Sequence, residues 1–215
     1  MSVRVSLFFV LLVLLAACAA PPAQVDRPPA PHRVLAYNCE PVDPVAAFYA
    51  DHVRLFLPGD NLRLPQQTSA SGARYGDGRT TFWTKGESAI LESRAAGRLN
   101  CRVDSMRSIW EAARLRGIHF RAVGNEPGWY LEIGPEQSLL NLDYGQREIP
   151  FATPSAENDV IPGSTSYRAT IDDRPLTILL EPRRCNDTMI ERSYETTVTV
   201  SYGDEIYRGC GQTLH

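Results

Sequence analysis

Lys85 is the one lysine in a chain that carries the rest of its side-chain positive charge on 21 arginines. An arginine head is a broad planar fork, whereas a lysine head is a compact point charge on a flexible stem that can enter a narrow cleft and meet a carboxylate. A single retained lysine therefore points to a site built for that shape. It sits in the stretch SASGARYGDGRTTFWTKGESAIL, residues 69–91, which also holds Ser71, Gly72, Arg74 and Tyr75. Ser71 offers a hydroxyl able to donate and accept, and Gly72 supplies backbone freedom. Asp77-Gly78 marks a hairpin ahead of Thr81-Phe82-Trp83-Thr84, so Ser71 and Lys85 are expected to flank one hairpin. The stretch is not a phosphate loop, because the Gly-x-x-x-x-Gly-Lys-Ser/Thr spacing is absent. Ser71 has no visible general base, since none of His32, His52, His119 and His215 stands in a triad context. Those scattered histidines and the lack of a Cys-x-x-Cys pair argue against a metal site. No catalytic residue and no cofactor are expected.

The elements that must position these residues are mostly strands. From Val34 the chain runs through VLAYNC, HVRLFL, TTFWTK and SAILES, with Pro58-Gly59-Asp60 and Gly76-Asp77-Gly78 as turns between them. Residues 34–103 read as an all-β block. Residues 104–116, DSMRSIWEAARLR, then place Met106, Ile109, Trp110 and Ala113 at helical spacing, with Asp104 or Ser105 as N-cap and Gly117 as the stop. This predicts a linker helix over 104–117. A second β-rich block fills 118–215, with IHFRAV, GWYLEI, SLLNLDY, SYRATI, LTILLE and YETTVTVSYG as strands. The expected fold class is mainly β, two antiparallel units joined by one short helix.

The start of the chain sets the compartment. Arg4 precedes an apolar run from Val5 to Leu15, too short to span a membrane and of the length of a signal-peptide core. The run ends in Leu15-Ala16-Ala17-Cys18, which resembles a bacterial lipobox. Residues 1–17 are then a signal peptide, and Cys18 carries lipid that anchors the protein without a spanning helix. Ala19, in place of Asp, implies sorting to the outer membrane on the periplasmic side. Residues 18–33 hold the lipidated cysteine and a proline-rich spacer, PPAQVDRPPAP at 21–31. Losing residues 1–17 removes one arginine and moves the formal charge from −3 to −4. That balance disfavours nucleic acid, which needs a basic footprint, and suits a basic partner.

Cys39, Cys101, Cys185 and Cys210 remain after Cys18, and an oxidising compartment favours pairing them. Local pairing, Cys39 with Cys101 and Cys185 with Cys210, is preferred; crossed pairings that lace the blocks together stay open.

The segments YNC at 37–39, SASGARY at 69–75 and FWTKGESAIL at 82–91, closed by Cys101, resemble the MliC family of membrane-bound inhibitors of c-type lysozyme. The resemblance covers about residues 36–103. It implies a small antiparallel β-barrel closed by one disulfide, c-type lysozyme as partner, and entry of Ser71 and Lys85 into the lysozyme cleft, with Arg74 and Tyr75 framing the loop. In the second block, RAVGNEPGW at 121–129, CNDTM at 185–189, Tyr194 and YRGCGQTL at 207–214 resemble an uncharacterised family of bacterial lipoprotein-associated domains, although Ile190 stands where that family carries serine. This second resemblance brings no activity. Glu126, Asp172, Asp173 and Asp187 are acidic candidates for which structural roles are expected, Glu126 in a turn and Asp172-Asp173 in a loop. The leading function is a lipid-anchored lysozyme inhibitor; the alternative is an envelope lipoprotein whose residues 118–215 recognise peptidoglycan, lipid or a protein partner.

Overall fold

The computed structural model describes residues 29–95 and 97–214. The signal segment, Cys18 and most of the proline-rich spacer lie outside the described residues. Eight strands follow in order: β1 (Arg33–Asn38), β2 (Val45–Phe48), β3 (His52–Leu57), β4 (Asp60–Gln67), β5 (Ala73–Gly76), β6 (Thr80–Lys85), β7 (Ser88–Ser93) and β8 (Gly97–Asp104). Each pairs antiparallel with the next, and β8 returns to β1 with Tyr37 opposite Val103, so the sheet closes into a barrel. Closure leaves no strand with unpaired edge groups. Period-two alternation turns Val53, Leu55, Leu64, Phe82 and Leu91 inward, where they pack around Tyr37. The Tyr37 and Phe82 rings meet edge to face at 5.3 Å. Cys39, just past β1, bonds to Cys101 on β8 across the closing seam.

Helix α1 (Ser105–Leu115) starts where β8 stops. Asp104 is the last residue of β8 and also the N-cap, its side chain accepting from Arg107 N at 2.9 Å. Gly117, at φ +85°, ends the helix in the left-handed conformation that glycine adopts most easily. The buried face differs from the one that apolar spacing predicts. Trp110 and Ala113 are buried, but Met106 and Ile109 are 42% and 47% exposed, and Ser108 takes an inward place. The reason is that one side of α1 contacts the barrel through polar groups. Ser108 Oγ accepts from Ala36 N and donates to Asp104 O, while Arg107 donates to the carbonyls of Tyr37, Asp43 and Pro44.

The chain continues through β9 (Phe120–Asn125), β10 (Gly128–Ile133), β11 (Gln137–Leu142), β12 (Arg147–Ala152), β13 (Glu157–Asn158), β14 (Thr165–Ile171), β15 (Arg174–Glu181), β16 (Cys185–Asp187), β17 (Arg192–Tyr194), β18 (Thr196–Tyr202) and β19 (Glu205–Thr213). Nine of these form one antiparallel sheet in the order β12-β11-β10-β9-β19-β18-β15-β14-β13, and β16 and β17 pair separately. The sheet curls, because Leu140 and Leu142 of β11 share one core with Leu176 and Ile178 of β15. Trp129 lies in that core between two glycine strands: a Cβ at Gly124 would come 2.1 Å from its indole nitrogen, and one at Gly209 2.8 Å from its ring. On the other face, Trp110 and Ala113 of α1 pack with Tyr194, Cys210 and Leu214, beside the Cys185–Cys210 bond that fastens β16 to β19. Arg121 and Glu132 form a buried ion pair there, which Arg116 joins from the helix end at 2.6 Å. Among the described residues no helix is long and apolar enough to cross a membrane.

Candidate functional site

The β5–β6 hairpin positions the residues singled out by the sequence. Its register sets Ala73 opposite Thr84, Arg74 opposite Trp83 and Tyr75 opposite Phe82. At its tip the Asp77 carboxylate accepts from Thr80 N and Arg79 N at 2.7 and 2.8 Å, and these bonds hold its pKa below the ordinary aspartate value. At its open end lie the Ser69–Gly72 loop and Lys85. Gly72 has φ +67°, and a Cβ there would come 2.2 Å from the Thr84 carbonyl oxygen, so only glycine lets the loop lie against β6. The Ser71 carbonyl accepts from Ser69 Oγ at 2.7 Å and from the Trp83 indole N–H at 2.9 Å. Lys85 ends β6 and pairs with Ser88 across a turn at Gly86, φ +59°.

Gly72 and Lys85 thus meet at one mouth of the barrel, with Ser71 next to Gly72 in the loop, and all three are exposed. The Lys85 ammonium makes no hydrogen bond or ion pair among the described residues. Arg74 is exposed on the neighbouring strand. Tyr75 points the other way: it is 5% exposed and its ring lies 5.8 Å from Phe48. A cleft of about 510 Å³ opens at this mouth, with the rings of Tyr37, Phe48 and Tyr75 buried within it and Gly72, Lys85 and Glu87 at its surface. Burial pushes the Tyr37 phenol up to about 12, so it stays neutral.

Residue type and spacing did not single out Trp83. It is 38% exposed while Phe82 beside it is fully buried. The available signal was its outward position in TTFWTK, two residues before Lys85 on the same side of the strand.

The acidic residues of the curled sheet do not assemble a reactive site. Glu126 is exposed in the β9–β10 turn, and Asp172 and Asp173 form the β14–β15 turn with φ of +48° and +61°. Asp187 accepts from Asn125 Nδ2 at 2.9 Å and from Met189 N at 3.0 Å, which joins the two quoted motifs of the second block. Beside them is a second cleft, about 450 Å³, lined by Trp129, Asn141, Tyr144, Asp187 and Met189 among others. Among the described residues no three His, Cys, Asp or Glu side chains converge as metal ligands.

The fold and this mouth define a small closed antiparallel barrel that offers an unpaired cation beside a hydroxyl-bearing loop. The family model for membrane-bound lysozyme-inhibitor of c-type lysozyme, MliC, matches residues 37–100. The membrane-bound lysozyme inhibitor of C-type lysozyme from Escherichia coli (strain K12) is 34% identical over 96 residues, 44% of this chain and 86% of that protein. The protein of the same name from Yersinia enterocolitica is 52% identical over 42 residues, 20% of this chain and 36% of that relative. The chain therefore belongs to the MliC family, and the family model's match lies within the barrel. The family match covers none of residues 118–215. No solved structure matches the chain.

Proposed function

We propose that the protein inhibits c-type lysozyme as a binding protein, plugging the active-site cleft with the Ser71 loop and Lys85. Lysozyme cuts a glycosidic bond between a glutamic acid of raised pKa and an ionised aspartate, and a plug must satisfy both. The Lys85 ammonium, free of any partner within the described residues, is available to neutralise the aspartate. The Ser71 hydroxyl can exchange a hydrogen bond with the glutamic acid, and the loop around it excludes the sugar chain. Arg74 frames the contact from the adjacent strand, while Tyr75 supports the loop from below. The barrel, residues 34–103, carries the inhibition, and the helix over 104–117 links it to the β-rich unit of residues 118–215. Signal cleavage before Cys18 and lipid on that cysteine hold the protein at the outer membrane, facing the periplasm. The observation that carries this reading is the unpaired lysine held beside the Ser71 loop in a chain of this family.

The test is an inhibition constant against one c-type lysozyme. Lys85→Ala is expected to weaken inhibition by about 2–4 kcal/mol, roughly 30- to 1,000-fold, because it removes a partly desolvated charge from the centre of an interface. Lys85→Arg is expected to lose affinity too, since its equal charge sits on a wider head. A folded Lys85→Ala variant that inhibits like the parent would sink the mechanism. The second reading, recognition of peptidoglycan, lipid or a protein partner by residues 118–215, draws support from the cleft where Tyr144 and Met189 are 75% and 70% exposed. Retention on isolated cell wall without any lysozyme inhibition would favour it.

A further inference from the structure

We infer that Trp83 is a positioning residue for inhibition: its indole N–H, acting through the Ser71 carbonyl, sets the Ser71 hydroxyl beside Lys85 before a partner arrives. The inference rests on the reading that loop and lysine act together on lysozyme.

Trp83 is not placed to fill the barrel core. Its side chain lies on the outward side of β6 with 38% of its surface exposed, a costly place for a large apolar ring. What it does there is donate its single N–H across 12 residues of sequence to the Ser71 carbonyl, at 2.9 Å. Ser69 Oγ donates to the same oxygen at 2.7 Å, so both of its lone pairs are engaged. On the C-terminal side of Ser71, Gly72 rests against the Thr84 carbonyl, an approach that any Cβ would block. The Ser71 peptide is therefore fixed from two sides by β6, the strand that ends at Lys85. Ser71 and Lys85 are both referenced to one rigid element three residues long, from Trp83 to Lys85. A loop ordered in advance loses less freedom on binding than one that must be ordered by the partner.

The experiment removes the N–H and keeps the ring. Trp83→Phe is expected to raise the inhibition constant about 3- to 10-fold, the loss of one neutral hydrogen bond, while the melting temperature stays within about 2 °C. A general loosening of the barrel would not depend on Ser71, so the deciding measurement is a double-mutant cycle. In a Ser71→Ala chain the further change to Phe should cost under about 2-fold, and in a Lys85→Ala chain it should keep its full factor. If Trp83→Phe inhibits like the parent, or loses as much with Ser71→Ala as without it, the inference is wrong and the lysozyme reading stands. If the parent chain does not inhibit lysozyme, both are wrong. Should Trp83→Phe fail to fold, Ser69→Ala removes the other donor to the same carbonyl and must show the same dependence on Ser71.

Discussion

The barrel and the curled sheet are both antiparallel and each carries one disulfide, yet they distribute edges and charge differently. The barrel has no free edge, whereas the sheet ends in β12 and β13. Residues 33–104 hold eight arginines and Lys85 against eight carboxylates, so the barrel is close to neutral; residues 118–215 hold eight arginines against fifteen. The acidity of the whole chain is therefore a property of the part without a family match. Under the proposed function, long-range attraction of a basic partner would originate on the sheet, while the barrel mouth would act at contact distance through one ammonium. A charge averaged over two units describes neither.

The strongest way to break this division of labour is to damage one core at a time. Phe82→Ala empties the centre of the barrel and is expected to cost about 3–5 kcal/mol, abolishing inhibition. Leu131→Ala in the sheet should cost about 2–5 kcal/mol and leave the inhibition constant of the folded protein unchanged. If Leu131→Ala also abolishes inhibition while far-UV circular dichroism is retained, the barrel does not act alone. The disulfides sharpen the comparison next. The sequence separations are 62 for Cys39–Cys101 and 25 for Cys185–Cys210, so chain entropy gives about 4 and about 3.5 kcal/mol respectively. Replacing the first pair by serine should lower the barrel's denaturation midpoint and weaken inhibition; replacing the second should affect only the sheet. At the mouth itself Ser71→Ala is expected to cost about 1–2 kcal/mol of affinity, less than Lys85→Ala, and inhibition assays on matched folded variants check the order.

The smallest effect is acid sensitivity at the far end of the sheet. Hydrogen bonds from Arg147 hold the Glu205 carboxyl below its ordinary value of 4.5. A carboxyl depressed in the folded state stabilises fully above its unfolded value and loses that contribution as pH falls through the folded one. Melting temperature should therefore show a shallow decline below about pH 4.5, and Glu205→Gln should remove that component. An unchanged decline in the variant assigns it to other carboxylates.

Much of this was legible in the sequence where strands alternate cleanly. HVRLFL, TTFWTK and SAILES coincide with β3, β6 and β7, and the helix was placed to within two residues by Asp104 and Gly117. Of the strands that sequence reading passed over, β2 is apolar but only four residues long, and others lack an apolar pattern. DNLRLPQQ carries a proline and GRLNCRVD is mostly polar, yet both are held because closure gives each a partner on two sides. EIYRGCGQT was not among the expected strands, yet it forms β19, and its Gly209 and Gly211 make room for Trp129 and Phe120. The site residues were legible as types, a lysine and a serine flanking one hairpin. The tie between them was not, because a tryptophan donating to a backbone carbonyl leaves no periodic trace.

Asp104 serves at once as the end of a strand and the cap of a helix, and Val103, the residue before it, donates to the Glu87 carbonyl at the Lys85 turn. The presenting tip and the joint between the two units are neighbours, with no slack chain between β8 and α1. Barrel and sheet are therefore expected to tumble as one particle, so that under the proposed function a partner meeting the mouth would give up the rotational freedom of a single body. The distance of the lysine from the curled sheet is set by the span of a strand and a helix, not by the random walk of a linker.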